Sequence, residues 1–154
     1  MQISALFHQD AKRLNELVAL LTKEQTSLVQ MDIEDVEQIL DEKSVLIQQI
    51  ADATKTRHQA LGQAGYDANE NGMATWIRAS ENQQMHADWE VFQDQLAKAK
   101  ELNRVNGQMI NQHFKRNQQA LNTLQGKAPN ANAGVYGANG QTSAPNHRRS
   151  MVSA

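Results

Sequence analysis

The chain has 154 residues, no cysteine, two prolines and a net charge of −2, and 40% of its residues are hydrophobic but only 5% aromatic. That length fits one domain, and the lack of cysteine excludes a disulfide framework and suits a reducing compartment. No apolar run approaches the ~18–20 residues of a membrane span, and Met1 to Asp10 lacks a basic region followed by an apolar core, so a cytoplasmic protein without direct membrane insertion is expected.

A first helix is predicted from about Ser4 to Val29. Ile3, Phe7, Asp10, Leu14, Leu17, Leu21 and Leu28 follow 4-3 spacing, with Leu6, Val18 and Leu20 widening the stripe. Asp10 is the odd member, read as a charge that snorkels from the edge of the seam. Gln30 to Ile33 makes a short reversal, with Asp32 as N-cap and Glu34 and Asp35 at the positive end of the next helix dipole. The second helix then runs over 33–64. Val36, Ile39, Leu40, Lys43, Ile47, Ile50, Thr54, Arg57 and Leu61 mark its inner face. Lys43 and Arg57 are expected to lay their stems over apolar neighbours and carry their charge to solvent or a carboxylate. So short a connection makes the two helices antiparallel neighbours.

Gly62 and Gly65 end the second helix, with Gly65 as its C-terminal cap, and Tyr66 to Gly72 is polar and turn-like. A short amphipathic helix over 73–80, with Trp76 as a core plug, is too short to stand alone and is expected to pack across one end of the bundle.

The longest helix is predicted over 81–125, about 65 Å without a proline. Its seam begins apolar, with Met85, Trp89, Phe92, Leu96 and Ala99, then turns polar at Asn103 and Asn106. The charge changes at the same place. All 17 acidic residues lie at or before Glu101, whereas residues 102–154 hold six of the 15 Lys and Arg and no acid. The apolar half therefore reads as bundle framework. Leu102, Val105, Met109, Ile110, Phe114, Leu121 and Leu124 beyond it read as a surface for another amphipathic helix. A structural, self-associating coiled-coil protein that dimerises through residues 102–124 is the competing reading. Gly107 costs about 1 kcal/mol inside a helix relative to Ala, which predicts either a bend or the close approach of another backbone.

Gly126 and Pro129 end the helix. Residues 127–154 carry both prolines and no acid, too little apolar surface to offset ordering entropy, so a flexible tail is predicted. Val135-Tyr136, between Gly134 and Gly137, is its one aromatic island and reads as a docking motif. The fold expected is thus all-α: an elongated antiparallel bundle of three long helices and one short one over 1–126, then the tail. The five histidines show neither metal-ligand spacing nor a nucleophile beside them, so no metal, cofactor or catalysis is expected. Only Lys115 and Arg116 are adjacent cations in the basic half of the helix, with no interleaved aromatic platform, which disfavours nucleic acid as a partner.

Three groups of residues together carry a family resemblance. They are the progression Asp32, Lys43, Arg57, Leu61, Gly65; the run Asn103, Asn106, Gly107, Ile110; and the tail run from Val135 through Tyr136, Gly137 and Gly140 to Gln141. Together they resemble the FlgN family of flagellar type III export chaperones over nearly the whole chain. Asn139 departs from the Asp expected there in many members. The resemblance implies a cytoplasmic chaperone for the hook–filament junction proteins FlgK and FlgL. It would bind their C-terminal segments, prevent premature assembly, and deliver them to the export gate. It also implies that Val135, Tyr136 and Gly137 dock on the cytoplasmic domain of the gate protein FlhA.

Overall fold

The computed structural model describes residues 2–126. They form four helices: α1 (Gln2–Val29), α2 (Ile33–Gln63), α3 (Glu70–Ala79) and α4 (Gln83–Leu124). The predicted all-α architecture of three long helices and one short one is the one that forms. Two compact units divide after Asn111, within α4. The bundle is the first unit. Among the described residues no helix is long and apolar enough to cross a membrane.

The α1–α2 reversal follows from local chemistry. Asp32 caps α2, its Oδ1 accepting from the Asp35 N–H at 3.1 Å, while Glu34 and Asp35 sit in the first turn as the helix dipole favours. Contacts between the helices then fix directions. Arg57 meets Asp10 and Lys43 meets Glu24, so α1 and α2 run antiparallel. Phe7 meets Phe92, and Asn106 meets Leu21 and Glu24, so α4 runs parallel to α1.

The 4-3 stripe of α1 is buried as its spacing requires: Ile3, Phe7, Leu14, Val18 and Leu21 join Leu61, Met73, Ile77, Met85, Phe92 and Ala99 in one core. Fully burying each large side chain contributes about 1.5–3 kcal/mol. The aromatic centre is Phe7 edge-on to Phe92 at 5.3 Å, with Trp89 stacked on Phe92 at 5.6 Å. Trp76 is half-buried and packs against this core from α3, as expected.

Three local expectations need correction. α3 begins at Glu70, so Asn71-Gly72 lies inside the helix and not in a turn. Asn69 is the cause: its Oδ1 accepts from the Gly72 N–H at 2.9 Å and opens the helix a turn early. Gly72 is also needed for space, because a Cβ there would collide with the Asp67 carbonyl oxygen. α4 begins at Gln83, because the Asn82 side chain accepts from the Gln84 N–H at 3.0 Å and caps it there. At Gly107 one of the two expected outcomes, the close approach of another backbone of this chain, is not found: a Cβ would meet nothing within 4 Å.

Candidate partner-binding surface

Two polar clusters run through the bundle at seam positions. In the first, the Arg57 guanidinium donates from Nε to Asp10 Oδ2 at 2.7 Å and from Nη2 to Glu70 Oε1 at 2.8 Å. Asp10 and Arg57 are 3% and 1% exposed, so Asp10 does not snorkel, and Arg57 reaches carboxylates but not solvent. The reason is partnership. An opposite charge sits across the helix interface at hydrogen-bonding distance, and Arg57 also lies 5.7 Å from the Phe92 ring centroid. His58 Nε2 is 2.9 Å from the same Glu70 oxygen. Burial pushes the Glu70 carboxyl up, but the hydrogen bonds and charges of Arg57 and His58 outweigh it and hold the carboxyl below its ordinary value. One cluster therefore ties α1, α2 and the first turn of α3.

The second cluster lies further along. Glu24, fully buried, accepts at Oε1 from Asn106 Nδ2 at 2.8 Å and from Lys43 Nζ at 3.3 Å. Its Oε2 is in charge contact with Lys43 Nζ at 3.1 Å, though poorly aimed for a hydrogen bond. Asn106 Nδ2 also donates to the Leu21 carbonyl at 2.9 Å, and Lys43 Nζ donates to Asn103 Oδ1 at 3.2 Å. The polar half of the α4 seam thus has a partner inside the protein. Asn103 and Asn106 fasten α4 to α1 and α2, so the framework extends past Leu102 to Asn106.

Glu24 was not singled out from sequence, yet the signal was there. It fills the 4-3 position between Leu21 and Leu28, where an apolar residue would be expected.

The residues proposed from sequence to bind a partner separate into three groups. Leu102 is half-buried and packs against the core, and Val105, Met109 and Ile110 are also half-buried. Beyond Asn111, in the second unit, Phe114, Leu121 and Leu124 are 67%, 51% and 84% exposed. Residues four, three and seven apart share a helix face, so these three side chains fall along one stripe of α4. Val135, Tyr136 and Gly137, with the rest of the predicted tail, lie outside the described residues. Among the described residues no group of three or more His, Asp or Glu is placed to hold a metal ion.

What the fold and these clusters define is a helical-bundle protein whose seam charges are used for internal pairing and whose longest helix displays large apolar side chains. The FlgN protein family model matches residues 1–144, and the chain belongs to that family. It is 26% identical over 144 residues to the flagella synthesis protein FlgN of Salmonella typhimurium, covering 92% of this chain and 91% of that one. The same figures hold for the FlgN of Salmonella typhi. Among solved structures, a crystal structure described as a flagella synthesis protein FlgN from Pseudomonas aeruginosa matches with a TM-score of 0.62 and 25% identity. The match covers 73% of this chain and 88% of that one.

Proposed function

We propose that this protein is a cytoplasmic, substrate-specific export chaperone in flagellum synthesis. It binds the C-terminal helical segments of FlgK-like and FlgL-like hook–filament junction proteins, keeps them from assembling early, and delivers them to an FlhA-like export gate. Family membership and the relatives' description as flagella synthesis proteins support the flagellar setting. The observation that carries the binding role is the exposure of Phe114, Leu121 and Leu124 on α4.

A fully exposed side chain of this size gains about 1.5–3 kcal/mol on burial, and these three gain the share that their exposure leaves, so a client helix laid over them recovers free energy that the isolated chain forgoes. Val105, Met109 and Ile110, half-buried in the first unit, offer a client further apolar contacts, Met109 adapting its shape to more than one client. A client that folds on binding loses about 2–5 kcal/mol to ordering, which favours a reversible complex. Val135, Tyr136 and Gly137 serve the gate, so a client and the gate engage different segments.

Co-purification with a FlgK- or FlgL-like protein tests this reading. Phe114→Asp and Leu121→Asp abolish capture without unfolding the bundle, while Tyr136→Ala lowers gate binding and export and leaves capture intact. If the two Asp variants stay folded and capture the client normally, the surface is wrong. A dimer that those variants dissolve, with no client captured by the unmodified chain, supports self-association instead.

A further inference from the structure

The end of α1 carries an oddity that the client surface does not use. The Asp32 N–H donates to the Ser27 carbonyl at 3.0 Å and the Met31 N–H to the Leu28 carbonyl at 3.2 Å, the paired bonds of a Schellman turn. That turn needs left-handed backbone at Met31, which adopts φ 59°. The same turn at the end of α2 places Gly65 there at φ 85°, and Gly126 follows α4 at φ 66°. Left-handed backbone disfavours a residue with a Cβ, so glycine is the favoured choice at all three ends.

Nor does methionine gain burial in return. Val29, Met31 and Ile33 are 68%, 58% and 47% exposed, three apolar side chains at one helical-hairpin tip. Beside them, Gln25, Thr26, Val29, Gln30 and Met109 line a groove of about 280 Å³ between α1 and α4.

Charge selects the occupant. Between Lys23 and Lys43 the chain has seven acidic residues and no Lys or Arg. Glu24 is taken up by Lys43 and Asn106, and Asp35 by Ser27 and Lys23. Glu34 and Glu37 are exposed and have no ion-pair partner among the described residues.

We propose that the α1–α2 tip and the adjoining Met109 groove dock a basic amphipathic helix of a partner protein. Its apolar face covers Val29, Met31 and Ile33 while its Lys or Arg residues meet Glu34 and Glu37. The hairpin tip is the acidic part of this site, whereas the distal α4 surface is acid-free, so the two suit partners of different charge, and Met109 is the one residue they share. A use for this exposed side chain between molecules accounts for a methionine at a position whose backbone favours glycine.

The test titrates the isotopically labelled full chain with an amphipathic peptide of about 18 residues, Leu on one face and Lys elsewhere, and with its twin bearing Glu for Lys. The Lys peptide shifts the amides of Val29 to Glu37 and Met109, and binds at least about tenfold tighter than the Glu peptide. Met31→Gly relaxes the backbone, so it raises Tm while weakening Lys-peptide binding by about fivefold or more. Ile33→Ser and the pair Glu34→Lys, Glu37→Lys weaken it similarly.

Shifts elsewhere, no binding, or full affinity in both Met31→Gly and Ile33→Ser overturns the proposal, the last revealing general charge attraction. Concentration-dependent dimerisation that shifts these same amides would assign the tip to a second copy and also overturns it. Phe114→Asp leaves the peptide affinity unchanged, so this result and client capture succeed or fail separately.

Discussion

Replacing Arg57 and Asp10 singly and together asks how the bundle tolerates a charge in its seam. In Arg57→Leu the Asp10 carboxylate, 3% exposed, keeps only Arg13 at 3.7 Å. In Asp10→Leu the guanidinium keeps only Glu70, with Nη1 already buried and unpartnered. Removing one partner of a buried pair costs about 3–5 kcal/mol, because a charge remains out of water with nothing to compensate it. Set against a typical domain stability of about 5–15 kcal/mol, either single change removes a large share of the margin against unfolding. The double variant removes both desolvation costs and fills the space with apolar atoms, so it is expected within about 1 kcal/mol of the unmodified protein or above it. Urea unfolding followed by far-UV circular dichroism measures all four corners of the cycle. The reasoning is refuted if Arg57→Leu costs less than about 1 kcal/mol, the value of a solvent-exposed ion pair, or if the single losses simply add.

Glycine to alanine should act with opposite signs at two positions. Gly107→Ala meets open space in a helix interior and raises stability by about 1 kcal/mol, whereas Gly72→Ala collides with the Asp67 backbone and lowers it by about 1–3 kcal/mol. Thermal unfolding reads both, and equal shifts would contradict the local geometry. If the client backbone crosses at Gly107, the stabilised variant also captures it less well. The Glu70 carboxyl, held below its ordinary value of 4.5, contributes stability that is present above that value and lost as pH falls through the folded one. Glu70→Gln should therefore flatten the acid side of a stability–pH profile and leave the neutral side nearly parallel. Because that side chain is 44% exposed, solvent screening keeps the effect small.

The helix order was legible because the 4-3 apolar rows and the punctuation at Asp32, Gly65 and Gly126 carry their own physics. The short helix was harder. Its start depends on Asn69 capping and on Glu70 being drawn to Arg57, a residue 13 positions earlier that sequence spacing does not connect. Asp10, Lys43 and Arg57 stand out in the sequence one at a time, and Glu24 only as a gap in the apolar row of α1. Asp10 and Glu24 are 14 residues apart on α1, and Lys43 and Arg57 are 14 apart on α2. In antiparallel helices that equality lets both pairs close in one register, so four apparent defects become two bonds. The same holds for Asn103 and Asn106, which looked like the start of a partner surface and proved to fasten α4. What stayed illegible was exposure. Periodicity marks Leu102 and Phe114 alike, yet Leu102 packs on the core and Phe114 faces solvent, a difference that only tertiary packing decides.

Amide hydrogen exchange of the full chain, alone and saturated with the C-terminal segment of a FlgK-like client, tests the chaperone account most directly. Slowed exchange along α4 from Val105 to Leu124, with no change around the Asp10–Arg57 cluster, is the predicted result. Unchanged exchange over that stretch of α4, in a sample where the client segment is bound, would contradict it.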